Sequence, residues 1–167
     1  MSNKNIVLIG MPGAGKSTVG VLLAKKTARS FVDTDILIQK QCGCRLQEII
    51  EAEGYLRLRA IEEQVIIDFS CSYCVVATGG SAVYSNAAMQ HLKRDGVLVY
   101  LDVPFEEIER RVHDYGARGI ARRPEQSFRD LFEERRPLYQ RHADITVPAY
   151  GMGIEAVCGA ISKALGE

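Results

Sequence analysis

The sequence predicts an α/β domain, a three-layer sandwich in which helices cover both faces of a five-stranded parallel sheet. Three observations predict it. Short, continuously apolar runs recur along the chain, as strands buried on both faces do. Longer segments of helical periodicity separate them, the alternation expected of parallel strands joined by crossover helices. Residues 10–18 read Gly-Met-Pro-Gly-Ala-Gly-Lys-Ser-Thr, matching the phosphate-binding pattern G-x-x-x-x-G-K-[S/T], and lie between an apolar run and a helical one.

The first strand is placed at Ile6–Ile9. Gly10, Gly13 and Gly15 let the next turn curl so that successive N–H groups face an anion. A helix over Lys16–Ala28 adds its positive end. Gly13, Ala14, Gly15, Lys16, Ser17 and Thr18 are therefore the expected ATP-phosphate site. Lys16 would reach the β- and γ-phosphates, and Ser17 would ligate Mg²⁺. A short second strand ends at Phe31-Val32. Helices follow at Asp35–Gln41, Leu46–Glu53 and Tyr55–Phe69, then a strand at Cys74–Ala77. A helix at Ala87–Arg94 precedes the strand Val97–Leu101. Pro104 suits a helix start, with Glu106 and Glu107 favouring its positive end, and that helix is placed at Phe105–His113. Ser127 and Asp130 resemble a capping box opening Phe128–His142. Ile145–Val147 is the last strand. Ile154, Val157, Cys158, Ile161 and Leu165 form one face of the last helix.

Parallel sheets bind ligands at the carboxyl ends of their strands. Three chemistry-bearing turns share that edge: 10–17, 33–35 and 78–81. Asp33 is a candidate to hold Mg²⁺ through its waters, and Asp35 to accept or orient the proton of an attacking hydroxyl. Either could instead only cap the next helix. Val97–Asp102, an apolar run ending in an acid, is a rival metal position, but Asp102 has an ordinary role at a helix entry. Gly79 and Gly80 offer backbone close to an acceptor where side chains would obstruct it. Arg59 and Glu62 share a helix face at i, i+3, so Glu62 could pin the guanidinium. Arg59 and Arg135 could together offer two planar forks to a carboxylate. The polar stretch 115–126 carries Arg118, Arg122 and Arg123. It is expected to be a lid, about residues 114–126, that excludes water and brings cationic charge to the γ-phosphate.

The 167 residues suffice for one domain spanning the chain, with an acceptor-binding part at about 33–62. Twenty-one basic and 21 acidic residues give zero formal charge, which argues against a general nucleic-acid binder. No stretch is long enough to span a membrane. The N-terminus runs directly into the first strand with no room for a signal peptide, so a cytoplasmic location is expected. The five cysteines are read as unpaired small residues in preference to a zinc site or disulfide.

Together these motifs resemble the shikimate kinase family, a branch of the nucleoside-monophosphate-kinase-like P-loop kinases, over nearly the whole chain. The matching segments are the phosphate loop, Asp33-Thr34-Asp35, the stretch from Gly54 to Glu62 containing Arg59, the turn Gly79-Gly80-Ser81, and Arg135-Arg136-Pro137-Leu138-Tyr139. The resemblance implies a P-loop kinase fold with a small lid and strand order 2-3-1-4-5. It implies MgATP-dependent phosphorylation of the shikimate 3-hydroxyl, by a monomer. Asp35, Arg59, Gly80 and Arg135 would hold shikimate, with the two arginines on its carboxylate, and Arg110 would lie against adenine. Departures fall on the acceptor and lid: Leu58 and Ile50 replace phenylalanines, Ser81 replaces a glycine, and Arg123-Pro124-Glu125-Gln126 stands for the Arg-Pro-Leu-Leu lid motif, with Arg118 a rival lid arginine. Two alternatives stay open. One is a kinase for another small hydroxylated acid. The other is a nucleotide switch without an acceptor, against which no Asn-Lys-x-Asp guanine signature occurs.

Overall fold

The computed structural model of the chain describes residues 4–112 and 119–166. Five parallel strands, β1 (Asn5–Ile9), β2 (Ser30–Asp33), β3 (Cys74–Ala77), β4 (Gly96–Asp102) and β5 (Ile145–Pro148), form one sheet in the order β2-β3-β1-β4-β5. The register sets Leu8 beside Ala77 of β3 and Val99 of β4, so β1 is central. Side chains alternate faces along a strand, yet Ile6, Val7, Leu8 and Ile9 are all at most 1% exposed. Both faces of β1 are therefore covered, which is why its sequence is continuously apolar.

The helices are α1 (Lys16–Lys26), α2 (Thr34–Cys42), α3 (Leu46–Glu53), α4 (Tyr55–Asp68), α5 (Asn86–Asp95), α6 (Phe105–Arg111), α7 (Phe128–His142) and α8 (Ile154–Leu165). Helix α1 packs over β1, β2 and β3 and against α8, whereas α5 and α7 pack on β4. A second, smaller core joins Ile38 of α2, Ile49 of α3, and Leu58, Ile61 and Val65 of α4 to Ala121. The helices at the acceptor end thus have an apolar centre of their own, closed by a residue from the 119–126 segment.

The elements differ from sequence expectation mainly at their ends. Helix α1 stops before Ala28, because Thr27 Oγ1 donates to the Leu23 carbonyl at 2.8 Å and Ala28 takes φ 55°. Helix α2 starts at Thr34, with the Asp33 side chain accepting the Asp35 N–H at 2.9 Å. Ser127 and Asp130 form the expected capping box. A short 3-10 helix, Ala82–Tyr84, follows the Gly-Gly turn and was not expected. His113 and Arg118 lie outside the described residues. No helix among the described residues is long and apolar enough to cross a membrane.

Candidate active site

The carboxyl ends of β1, β2 and β3 open into a cleft of about 660 Å³. One side is the turn after β1. Gly13 and Gly15 adopt φ 86° and 94°, left-handed conformations that an L side chain would strain, and Ala14 N–H donates to the Met11 carbonyl at 3.1 Å. Lys16 opens α1 and is 8% exposed; its Nζ donates to the Gly10 and Met11 carbonyls at 2.8 Å each. Burial lowers its pKa to about 8, opposed by the nearby Asp35 and Asp33 carboxylates. Ser17 Oγ donates to Asp33 Oδ2 at 2.6 Å. A hydroxyl and a carboxylate are thereby paired at the mouth of the phosphate loop, an all-oxygen donor set suited to a hard divalent cation. Asp102 is engaged elsewhere: Oδ1 accepts from Tyr100 OH at 3.0 Å and Oδ2 lies 3.6 Å from Arg136 Nη2.

The opposite side comes from α2, α4, α7 and the turn after β3. The buried Thr34 Oγ1 accepts the Gly79 N–H at 3.0 Å, tying that turn to the start of α2. A Cβ on Gly79 would stand 2.2 Å from Glu62 Oε1 and 2.8 Å from Asp35 Oδ1; one on Gly80 would stand 2.8 Å from Arg135 Nη1 and from Pro12 Cδ. A side chain at Gly79 would push the Glu62 and Asp35 carboxylates aside, and one at Gly80 would press on the Pro12 ring and Arg135. Arg135 is 1% exposed; its Nη2 donates to the Ala121 carbonyl at 2.6 Å and its Nε to Tyr84 OH at 3.3 Å.

The phosphate-loop residues 13–18, Asp35, Gly79, Gly80 and Arg135 all line this one cleft, and Asp33 adjoins it through Ser17. Arg59 stands one layer back, its Nη2 reaching the same Ala121 carbonyl at 3.3 Å. Arg110 does not line the cleft: it is exposed and paired with Glu107. Its neighbour Arg111, about 100° further round α6, does line it and donates to the Gly13 carbonyl at 3.3 Å. Arg123 does not reach the cleft; its Nη2 bonds Glu134 at 3.1 Å and its side chain is about half exposed. Arg118 is outside the described residues.

The expected pinning of Arg59 by Glu62 is corrected. Glu62 turns into the cleft, where one oxygen accepts from Ser81 Oγ while buried Oε1 has no hydrogen-bond partner among the described residues. Arg59 instead lies over the Tyr84 ring, with Cζ 3.7 Å from the centroid. A sequence signal for this existed: Glu62 shares the buried stripe of Leu58, Ile61 and Val65 on α4, where a glutamate is conspicuous. Arg111 and Tyr84 carried no such signal.

Two crowded carboxylates give the cleft a pH dependence. Burial, aided by Asp33, raises Asp35 from 3.8 to about 6, and burial, aided by Asp35, raises Glu62 from 4.5 to about 7. Folding therefore binds protons between the unfolded and folded values, and stability falls as pH rises through roughly 4 to 7. The Glu62→Gln variant is expected to lose part of this slope and to melt higher than the parent at pH 8. Calorimetric melting temperatures at pH 5 and 8 check this; an unchanged slope would contradict it.

The sequence model of the shikimate kinase family matches residues 12–165. Among curated proteins, the chain is 40% identical to a shikimate kinase of Synechococcus sp., over 99% of this chain and 86% of that one. It is 38% identical to one of Thermodesulfovibrio yellowstonii, over 96% and 94%. Among solved structures, it resembles shikimate kinase from Acinetobacter baumannii in complex with shikimate (TM-score 0.89, 34% identity, 98% of this chain and 93% of that one). It also resembles shikimate kinase from Aquifex aeolicus (TM-score 0.81, 35% identity, 98% and 99%).

Proposed function

Because the chain belongs to the shikimate kinase family, we propose that its cleft transfers the γ-phosphoryl group of ATP to the 3-hydroxyl of shikimate, releasing ADP and shikimate 3-phosphate. The observation that carries this is the meeting of Lys16, Asp35 and Arg135 on the wall of a single cleft. The triphosphate lies against the N–H groups of residues 13–18. Lys16 exchanges its carbonyl partners for phosphate oxygens. Ser17, through its hydroxyl, and Asp33, through bound waters, would hold Mg²⁺, which would supply positive charge against the β- and γ-phosphates.

Shikimate enters on the other side. The Ala121 carbonyl, shared now by Arg59 Nη2 and Arg135 Nη2, marks where two guanidinium donors converge. A carboxylate oxygen is a stronger acceptor at that point and takes its place. Gly79 and Gly80 let the ring lie close to the turn. The substrate hydroxyl, held at Asp35, attacks the γ-phosphorus as the bond to the β-phosphate oxygen breaks, and its proton passes to Asp35. Asp35 must be ionised for this, so kcat/KM falls as pH drops through about 6 to 7, the range set jointly by Asp35 and Glu62. Arg111, which lines the cleft, would flank the adenine in the role expected of Arg110, and Arg118 and Arg123 are the two candidates for the lid arginine.

The likeness to the family supports a monomer. The five unpaired cysteines support a reducing, cytoplasmic location.

Incubation with MgATP and a panel of hydroxy acids tests this reading. ADP release is expected only with shikimate; release with a different acid alone would overturn the assignment of acceptor. Arg59→Ala and Arg135→Ala are expected to raise the KM for shikimate by about 30-fold or more while ATP still binds. Normal shikimate kinetics in both would remove the carboxylate clamp.

A further inference from the structure

We propose that Tyr84 is a positioning residue for the acceptor's carboxylate, fixing the guanidinium groups of Arg59 and Arg135 relative to one another. This deepens the reading of the site as a shikimate kinase and rests on it.

Tyr84 does not line the cleft; it ends the 3-10 helix behind the Gly79-Gly80 turn. The Arg59 guanidinium lies over its ring with Cζ 3.7 Å from the centroid, and that of Arg135 stands 5.3 Å away. Two cations this close repel each other. The electron-rich ring lowers that cost, because its quadrupole attracts a cation over its face.

The hydroxyl serves the second arginine. A phenol has one proton, and here it is donated to Glu134 Oε1. The oxygen's lone pairs are then free to accept Arg135 Nε–H at 3.3 Å. Glu134 is itself held by Gln126 Nε2 at 3.0 Å and Arg123 Nη2 at 3.1 Å, so the direction of the Tyr84 proton is fixed from both sides. With the ring against Arg59 and the hydroxyl against the Nε of Arg135, each arginine keeps its Nη2 for the shared acceptor point at Ala121 O. Among the described residues, no other aromatic ring lies over both guanidinium groups.

The two functions separate by substitution. Tyr84→Phe keeps the ring and loses the hydroxyl. Tyr84→Leu keeps apolar bulk and loses both. Tyr84→Leu is expected to raise the KM for shikimate about tenfold, with the KM for ATP unchanged and a melting temperature close to that of the parent. Tyr84→Phe, which recovers the ring, is expected to raise it by about fivefold or less. A shikimate KM in Tyr84→Leu equal to the parent's overturns the proposal, as does a KM for ATP that rises in step with it. A readout free of substrate stands beside the kinetics. The Arg59 side-chain Nε–H signal in ¹H–¹⁵N spectra is expected to stay sharp and ring-shifted in Tyr84→Phe, and to move and broaden in Tyr84→Leu. Identical spectra overturn the proposal. A parent protein that fails to phosphorylate shikimate refutes the acceptor assignment instead, and the spectra still decide the part played by Tyr84.

Discussion

Replacing Lys16 by methionine is expected to lower kcat about 10³-fold while shikimate binding stays intact. Methionine is nearly as long as lysine and unbranched, so the buried stem keeps its place. What disappears is the ammonium, which donates to the carbonyls of Gly10 and Met11. In the proposed reaction those two bonds give way. A triphosphate offers charged oxygens to the same donors, and a charge-assisted bond outweighs a neutral one by about twofold. Burial has already stripped the ammonium of water, lowering its pKa to about 8, so little solvent has to be displaced when charge migrates during phosphoryl transfer. The loss therefore falls on the transition state, and kcat should suffer more than the KM for ATP. Steady-state kinetics with calorimetric binding of shikimate check both halves. Turnover within about tenfold of the parent would show that the phosphate loop acts without its lysine.

Asp35→Asn is expected to reduce kcat by roughly 10²–10⁴-fold, with only a small change in the KM for shikimate. The amide is nearly isosteric and still accepts a hydrogen bond from a hydroxyl, so alignment survives. It does not take up a proton. The native carboxylate is poised for that role, since burial and the Asp33 charge raise it to about 6, nearer the operating pH than an ordinary aspartate. The acid limb of the kcat/KM profile should vanish with the carboxylate. A variant that keeps a tenth or more of the parent's kcat would reduce Asp35 to an aligning group.

How much of this was legible in the sequence depended on whether a signal was local. The sheet was, because Ile6–Ile9, Val75–Val76 and Leu98–Leu101 are buried on both faces and so read as unbroken apolar runs. Gly13, Gly15, Lys16 and Ser17 were legible because one turn of backbone accounts for their spacing. Asp33 and Asp35 were placed beside that turn, and Asp33 Oδ2 lies 2.6 Å from Ser17 Oγ. The arginines were harder. Helical spacing allowed Glu62 to pair with Arg59, but burial on the stripe of Leu58 and Val65 turned the carboxylate inward. A single residue step, about 100° of helix, separates Arg110, which faces solvent, from Arg111, which faces the loop. No local pattern fixes such a rotation, because it depends on how α6 seats against the rest of the domain. Tyr84 was invisible for the same reason: its partners Arg59, Glu134 and Arg135 come from α4 and α7.

The most direct test of the whole account is a balance of phosphorus. With MgATP and shikimate in excess, ³¹P spectra of the reaction should show one phosphate ester on a ring hydroxyl of shikimate for every ADP formed, and almost no inorganic phosphate. ADP accompanied by inorganic phosphate alone, at a rate indifferent to shikimate, would contradict it, for the cleft would then deliver the phosphoryl group to water and not to an acceptor held at Asp35.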